Sequence, residues 1–273
     1  MRFSLLGSGS SGNAILIVSG DQKLLIDNGL SFKQLKLRAE AIGESLDGLI
    51  GVVVTHEHSD HVNGLGVLSR KMGVPVHITR STYSQLSPNL GAIDPVHHFE
   101  SGDVFRIGPF LIASFRTTHD AIDPVCFTVE ANGHKLGLAT DMGAANGLVQ
   151  TRLKNCHALI LESNYCPDMI QNSPYPPQII QRIRGTHGHL SNRDMNSLLA
   201  HLLHDELKIV VAVHISQENN SEEIVERMTK KMLEKRNHAT QFMIASQDDP
   251  MPIVDLEKIE TAGAPPPVQQ TAF

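Results

Sequence analysis

The sequence predicts one α/β domain, residues 1–259, in which two mixed β-sheets pack face to face and helices cover both outer faces, giving a four-layered αββα sandwich. Three observations support this. The 273 residues, 41% of them hydrophobic, are enough to build a large buried core. Strand-like and helix-like segments interleave along the whole chain. No Gly/Ser-rich or Pro-rich linker divides them, so one domain is the economical interpretation.

The first half is rich in short strand-like segments, recognised by β-branched residues and by the turns that bound them. Turn signals at Asp21-Gln22, Gly108-Pro109 and Asn132-Gly133 pair neighbouring segments into hairpins. The predicted strands of this half lie at 3–6, 14–18, 23–26, 51–54, 104–107, 110–113, 126–130 and 135–139.

Helical periodicity is interspersed with these strands and becomes more regular later in the chain. The predicted helices are 32–42, 64–72, 143–153, 177–184, 193–203 and 221–235, and two late apolar strands lie at 158–161 and 209–213. Ser191 and Ser221 are good helix starts, since a serine hydroxyl caps free amide groups. The proline-rich tail, 260–273, lacks periodicity and is expected to be disordered.

Composition excludes several classes of protein. With 29 acidic against 23 basic residues and a net charge of -6, the chain is neither a basic nucleic-acid coat nor a disordered polyelectrolyte. No window approaches the ~18 apolar residues of a membrane span, and Ser4 and Gly7 interrupt any signal-peptide core, which predicts a cytoplasmic protein without membrane association. The three cysteines, Cys126, Cys156 and Cys166, form no CxxC pair and are expected to be ordinary reduced residues.

One motif near the amino terminus is misleading. Residues 7–12 satisfy the GxGxxG pattern after a strand, and Asp27 lies where a dinucleotide-binding fold would place its ribose-binding acid. However, the segment 14–18 that follows is β-branched and too short to be the crossover helix that such a site requires. The sequence therefore favours a tight polar loop between two hairpin strands.

The strongest chemical signal is the run His56-Glu57-His58-Ser59-Asp60-His61, which comes directly after an apolar strand. Alternation places His56 and His58 on one side, whereas Asp60 and His61 follow round the turn. This arrangement favours a division of the ligands between two cations, although a mononuclear tetrahedral site would use three of them. A chance polar loop is a poor explanation for so many ligands in six residues.

The HxHxDH run is the signature of the metallo-β-lactamase-fold hydrolases, and the sequence resembles this family in its later motifs as well. His119, Asp141 and His214 each follow a strand at the positions where the family places its remaining ligands. The resemblance implies that His56, His58 and His119 hold a first metal. It also implies that Asp60, His61 and His214 hold a second, with Asp141 as a bridge.

Two divalent ions in such a site would ionise a shared water near neutral pH and stabilise negative charge on the attacked centre. Imidazole and carboxylate ligands suit zinc, manganese or iron, and composition does not choose among them. The resemblance thus implies a hydrolase with two divalent metal ions and a metal-bound hydroxide as nucleophile.

A narrower resemblance is to the bacterial YycJ/WalJ group of nucleases. It covers most of the chain, and only Cys166-Pro167 after Tyr165 and the proline-rich tail depart from it. The matching segments are 8–13, 118–124, 161–165, 188–192 and 213–220. This resemblance implies a dinuclear metal-dependent phosphodiesterase acting as a 5′ to 3′ DNA exonuclease, in DNA repair.

Glu162 and His189 resemble the glutamate and histidine that relay a proton in the transfer-RNA 3′ processing ribonuclease, another phosphodiesterase of this superfamily. We assign them, with Asp60, to the catalytic group, since a departing nucleotide oxygen needs a proton. Two simpler roles stay open: His189 could cap the helix that follows Ser191, and Glu162 could bind backbone amides.

Substrate contacts are predicted from polar residues near these motifs. Ser10, Asn13, Ser191 and Asn192, with Ser8, are candidates to bind phosphate oxygens. The arginines at 182, 184 and 193 flank His189 and suit a phosphate backbone, although exposed arginines are often only solvated. With no Trp and three Tyr, base stacking must be limited.

Three alternatives remain open. The same ions could hydrolyse a small ester, thioester or cyclic phosphate, which the net acidity mildly favours. An RNA-processing ribonuclease is less favoured, because the 73 residues from Asp141 to His214 cannot hold a large cap domain. A non-enzymatic scaffold for replication or repair proteins would leave the complete ligand set without a use.

Overall fold

The structure, a computed structural model, describes residues 1–259, so the tail predicted to be disordered lies outside the described residues. Within this part the chain forms two seven-stranded sheets. The strands of the first sheet are β1 (Arg2–Gly7), β2 (Ala14–Ser19), β3 (Gln22–Ile26), β4 (Leu49–Val53), β5 (Val76–Thr79), β6 (Val96–Phe99) and β14 (Val254–Asp255). Those of the second are β7 (Val104–Ile107), β8 (Phe110–Arg116), β9 (Val125–Ala131), β10 (His134–Ala139), β11 (Ala158–Glu162), β12 (Ile209–Val213) and β13 (Gln241–Ile244).

Both sheets are mixed. The first runs in the order β14-β1-β2-β3-β4-β5-β6 and the second in the order β13-β12-β11-β10-β9-β8-β7. Antiparallel hairpins form one part of each sheet, whereas β3 to β6 and β10 to β13 pair in parallel. Because parallel neighbours end at the same edge, several strand ends of each sheet converge there.

Helices cover the outer faces. They are α1 (Phe32–Ala41), α2 (Ser59–Val62), α3 (Leu65–Met72), α4 (Arg80–Ser84), α5 (Gly147–Leu153), α6 (Pro177–Arg184), α7 (Asn192–Leu202) and α8 (Glu222–Lys235). The serine caps are confirmed: the hydroxyl of Ser191 accepts from the amide of Asp194, and that of Ser221 from the amide of Ile224. Helix α5 begins four residues later than predicted, because Asn146 caps the amides of Leu148 and Val149.

Three buried apolar layers correspond to the predicted sandwich. The central layer lies between the sheets and includes Phe3, Phe110 and Phe127. A second layer packs the first sheet against helices such as α1, through Leu35, and a third packs the second sheet against α5, α7 and α8. The predicted αββα arrangement is therefore confirmed. Among the described residues, no helix has the length and apolar character needed to cross a membrane.

Candidate active site

The candidate site lies where strand ends of both sheets meet. Asp27 follows β3 and Thr55-His56 follow β4 in the first sheet, while Asp141 follows β10 and His214 follows β12 in the second. Three of these residues turn the chain with a left-handed backbone: φ is 58° at Asp27, 52° at Asp141 and 55° at His214. Such conformations cost energy in a residue other than glycine, and they are concentrated at functional sites.

The HxHxDH run leaves β4 and enters the short helix α2, which carries Asp60 and His61 on its first turn. This turn packs closely on the end of β3. A Cβ atom at Gly29 would lie 1.7 Å from the carbonyl oxygen of Asp60, so glycine is required there. The amide of Asn13 donates to the same carbonyl at 2.7 Å. The run is therefore held rigidly between two backbone segments.

His56, His58 and His119 turn their ring nitrogens towards one point, with one ligand atom of each within 4.8 Å of the others. Nε2 of His119 lies 3.3 Å from Nδ1 of His58. Nε2 of His56 is buried and has no hydrogen-bond partner among residues 1–259. Its other nitrogen, Nδ1, lies 2.9 Å from the hydroxyl of Thr55. A buried ring nitrogen without a partner is costly, and a cation would relieve that cost.

Asp141 lies between this group and a second one. Its Oδ1 atom is 2.9 Å from Nδ1 of His214 and 3.8 Å from Nε2 of His119. Its Oδ2 atom is 3.4 Å from Nε2 of His61. The two oxygens of one buried carboxylate therefore face histidines of both predicted ligand sets.

The ionisable groups of the site shift one another's pKa values strongly. Burial alone would lower the pKa of His61, but Asp141 and Asp27 raise it to about 10. Burial likewise opposes the charge of His214, whose pKa Asp141 nevertheless raises well above its usual value. Burial, with the positive charge of His61, holds the pKa of His56 well below its usual value.

The lowered pKa favours the neutral imidazole of His56, which is the form that binds metal, whereas Asp141 favours positive charge on His61 and His214. Divalent cations would supply that positive charge instead. The donor set of imidazoles and a carboxylate fits zinc, manganese or iron.

Asp60 is the predicted ligand that converges least. Its Oδ2 atom lies 3.4 Å from Nε2 of His61 and accepts a hydrogen bond of 3.0 Å from Nδ2 of Asn13. By contrast, Glu162 and His189 converge with Asp141 and His214: one ligand atom from each of these four residues lies within 4.8 Å of the other three. The residues predicted for proton transfer thus border the same centre as the predicted ligands.

Glu162 and His189 form a direct pair. Nδ1 of His189 lies 2.6 Å from Oε1 of Glu162. Burial alone would raise the pKa of Glu162, but His189 lowers it, so the carboxylate is ionised. The alternative role of Glu162 also holds, because its Oε2 accepts hydrogen bonds from the amides of Met142 at 2.8 Å and Leu190 at 3.2 Å. One carboxylate therefore fixes both the strand end and the imidazole.

Sequence reasoning missed the role of Asp27. Its Oδ2 atom lies 2.8 Å from Nδ1 of His61 and accepts a 2.7 Å hydrogen bond from the hydroxyl of Thr55. The same hydroxyl lies beside Nδ1 of His56, so Asp27 orients histidines of both groups. The signal was available: β3 and β4 are parallel neighbours, and acids or histidines at adjacent strand ends meet.

A second missed contact holds His119. Its Nδ1 lies 3.0 Å from the carbonyl oxygen of Gly188, and its Nε2 lies 3.3 Å from Oδ1 of Asp120. Asp120 in turn pairs with the guanidinium of Arg182 on α6, at 2.5 Å from Nε. No local pattern predicts the contacts of His119 with Gly188 and of Asp120 with Arg182, because they join segments about 60 to 70 residues apart.

The predicted substrate residues have other roles. Ser191 caps α7 and its hydroxyl bonds the Asp194 carboxylate at 2.6 Å. Asn192 is fully buried and exchanges two hydrogen bonds with Asn220, at 2.8 and 2.7 Å. The chain uses these side chains to fix the start of α7, so both residues have structural partners. Substrate contact by Ser191 and Asn192 stays a prediction.

The amino-terminal loop reaches the site from the other side. Ser8 is buried and its hydroxyl accepts from the amide of His214 at 3.0 Å, while Ser10 is exposed at the loop tip. Nδ2 of Asn13 lies 3.0 Å from Nε2 of His61. Of the loop residues named from the sequence, Ser10 is exposed, whereas Ser8 and Asn13 contact residues of the predicted ligand set. Substrate contact by Ser10 and Asn13 stays a prediction.

Comparison with known proteins gives the same family. The model of the beta-lactamase superfamily domain matches residues 22–215. The chain is 34% identical to exodeoxyribonuclease YycJ of Bacillus anthracis over 256 residues, 92% of this chain and 97% of the relative. It is 33% identical to exodeoxyribonuclease WalJ of Streptococcus pneumoniae over 227 residues, 82% of this chain and 84% of the relative.

Among solved structures, the metallo-beta-lactamase fold protein YhfI of Bacillus subtilis aligns with a TM-score of 0.71 at 16% identity, over 93% of this chain and 99% of that one. At this identity the likeness concerns the fold alone. The sequence matches and the histidines at the strand ends indicate the same family as this fold. The chain therefore belongs to the metallo-β-lactamase-fold hydrolases of the beta-lactamase superfamily.

Proposed function

We propose that the chain is a dinuclear metal-dependent phosphodiesterase that degrades DNA from the 5′ end towards the 3′ end. The observation that carries the proposal is the pair Glu162–His189, held at 2.6 Å beside Asp141 and His214. Attack on a phosphodiester needs negative charge stabilised at phosphorus and a proton for the departing oxygen. The relatives named exodeoxyribonucleases support DNA as the substrate.

In this proposal His56, His58 and His119 hold one divalent ion, and Asp60, His61 and His214 hold the other, with Asp141 shared. The ions would supply an ionised water near neutral pH and balance charge on the phosphate. Zinc, manganese and iron all suit these ligands, and the proposed location is the cytoplasm.

The chain's own residues then have separate tasks. Glu162 binds Nδ1 of His189 and so turns Nε2, the other ring nitrogen, away from the carboxylate. The His189 side chain is 22% exposed, so Nε2 can reach a bound substrate and donate its proton to the leaving oxygen. Asp27 and Thr55 fix the tautomers of His61 and His56, so that their ligating nitrogens stay unprotonated when the ions bind.

The test is a digest of one duplex with a 5′ phosphate, labelled in parallel at its 5′ or its 3′ end, with the manganese-loaded protein. We expect the 5′ label to leave at once as a mononucleotide, while the 3′ label remains on a series of shortening strands. The reverse pattern would contradict the polarity. His189→Ala, compared with the neighbouring exposed His187→Ala, tests the proton donor in the same assay.

Three further substrates test the alternatives: an RNA strand of the same sequence, an acyl thioester and a cyclic nucleotide. The proposal expects the DNA duplex to have the highest kcat/KM. Faster turnover of the thioester or cyclic nucleotide would replace it with the small-molecule hydrolase, and faster turnover of RNA with the ribonuclease.

A further inference from the structure

Helix α6 has an unusual position for an amphipathic helix. None of its eight residues, all within the described part of the chain, is buried. Ile179 is 39% exposed, and Tyr175, just before the helix, is 36% exposed. A surface groove of about 470 Å³ runs along the helix, lined by Pro177, Ile180, Gln181, Arg184 and Gly185. The helix therefore presents apolar and cationic side chains to solvent together.

The charge of this segment differs from that of the whole chain. The 25 residues 169–193 contain three arginines and no Asp or Glu, whereas the chain has 29 acidic residues and a net charge of -6. A local region of positive potential on an acidic protein attracts anions to that region only. The positive charge of residues 169–193 is therefore complementary to a polyanion.

The carboxyl-terminal end of α6 is joined directly to the candidate site. The carbonyl oxygen of Ile183 accepts from the amide of His189 at 2.9 Å. A Cβ atom at Gly188 would lie 2.2 Å from the carbonyl oxygen of Arg182, so the two backbones are in contact. Gly188 also holds His119 through its own carbonyl, at 3.0 Å. A ligand lying on α6 would thus extend from the residues that border the metal centre.

We propose that α6 and the residues before it, 169–184, bind the strand of a nucleic-acid substrate that leads away from the cleaved bond. Arg184 contacts its phosphates, and Tyr175 and Ile179 contact its sugars and bases. The helix is about 12 Å long, the length of roughly three nucleotides along a duplex strand. Arg182 is already paired with Asp120, whereas Arg184 has no ion-pair partner among residues 1–259 and is the available cation of α6. This inference rests on the proposed function, of which it names the strand-binding surface.

The test compares Arg184→Ala with Arg227→Ala, which removes an exposed arginine from α8. Each variant is assayed on a 5′-phosphorylated oligonucleotide and on bis(p-nitrophenyl) phosphate, which is too small to reach α6. For Arg184→Ala we expect KM for the oligonucleotide to rise about tenfold, with a weaker dependence on salt. We expect kcat for the small ester to stay within about twofold, and Arg227→Ala to behave as the parent protein. Unchanged KM for the oligonucleotide, or an equal loss on both substrates, would overturn the proposal.

A binding measurement separates this inference from the proposed activity. Fluorescence anisotropy with a labelled phosphorothioate oligonucleotide measures affinity for the metal-loaded protein without cleavage. Binding that Arg184→Ala and Ile179→Glu weaken, and Arg227→Ala does not, supports the surface even if no nuclease activity is found. Equal affinity in all four proteins would contradict the surface even if the parent protein is an active nuclease.

Discussion

Nδ1 of His189 lies 2.6 Å from Oε1 of Glu162, a fully buried carboxylate, while the imidazole itself is partly exposed to the cleft. The buried partner fixes the ring, and the exposed edge leaves the second nitrogen accessible. Such a pair is suited to proton transfer at the rim of a cation site.

Replacing His189 by alanine tests this pair. We expect turnover to fall by about 10² to 10⁴, the usual contribution of a positioned acid, with metal content unchanged. Steady-state kinetics and metal analysis measure the two effects. The matched change His187→Ala, two residues away and exposed, should leave turnover intact. An undiminished rate in His189→Ala would assign this histidine a structural role only.

Glu162→Gln should lower turnover in the same range while the protein stays folded. The amide oxygen still accepts from the amide of Met142, but the carboxylate oxygen that orients Nδ1 of His189 is replaced by an amide nitrogen. The informative readout is the dependence on the leaving group: turnover of the DNA strand should fall, whereas turnover of bis(p-nitrophenyl) phosphate, whose departing p-nitrophenolate needs no proton, should stay within about twofold. An equal loss on both substrates would argue against a role for Glu162 in positioning the proton donor.

Asp27→Asn should weaken metal binding by about 10- to 100-fold, as expected when the partner of a ligating histidine is lost. The amide can no longer accept two hydrogen bonds at Oδ2, from Thr55 and His61. Metal affinity is measured by competition with a chelating dye. Asp21→Asn, in the exposed turn of the same hairpin, is the control and should bind metal normally. Parent-like affinity in Asp27→Asn would contradict the orienting role.

Asn192→Ala should lower the free energy of unfolding by about 1–3 kcal/mol, because it leaves buried partners on Ser163 and Asn220 unsatisfied. Urea denaturation measures this loss, and the exposed change Asn89→Ala should be nearly neutral. KM for the oligonucleotide, measured in the folded variant, tests the predicted substrate contact separately. A raised KM would support that contact, and an unchanged KM would leave Asn192 with a structural role only.

Glu44→Gln tests a buried ion pair remote from the site. Burial alone would raise the pKa of Glu44, but Lys23, with Nζ 2.9 Å away, and Arg2 lower it overall. A lowered pKa stabilises the fold above the unfolded value of about 4.3, and this contribution disappears as the pH falls through the folded pKa.

We therefore expect Glu44→Gln to be less stable than the parent at pH 7, and this difference to shrink at about pH 3. Denaturant titrations at both pH values measure it. The exposed Glu40→Gln is the control. A difference that is constant across this range would show that ionisation of Glu44 does not matter.

Much of the fold follows from local sequence patterns. The strands that were not predicted are short and have no clear pattern of their own. Strands β5 and β6 were not predicted: β5 has four residues after Pro75, and β6 carries exposed His97 and His98 at the sheet edge. Strand β14 has two residues and exists because β1, more than 250 residues away, pairs with it. Strand β13, at the edge of the second sheet, was not predicted either. Short strands at or beside a sheet edge depend on their partners more than on their own residues.

The candidate site shows the same division. The spacing of HxHxDH indicates a cation site by itself, because all its residues leave one strand. The contacts of Asp27 with His61 and of Gly188 with His119 depend on which strand ends become neighbours. Ser191 and Asn192 show the limit of residue type as a guide: both types suit phosphate binding, and the start of α7 also uses their hydrogen-bonding groups.

The central claim is that strand ends of the two sheets assemble a site for two cations that share Asp141. Anomalous diffraction from crystals of the manganese-loaded protein tests it most directly. We expect two peaks, one bound by His56, His58 and His119 and the other by Asp60, His61 and His214, with the Asp141 carboxylate between them. A single peak, or peaks that do not touch Asp141, would contradict it.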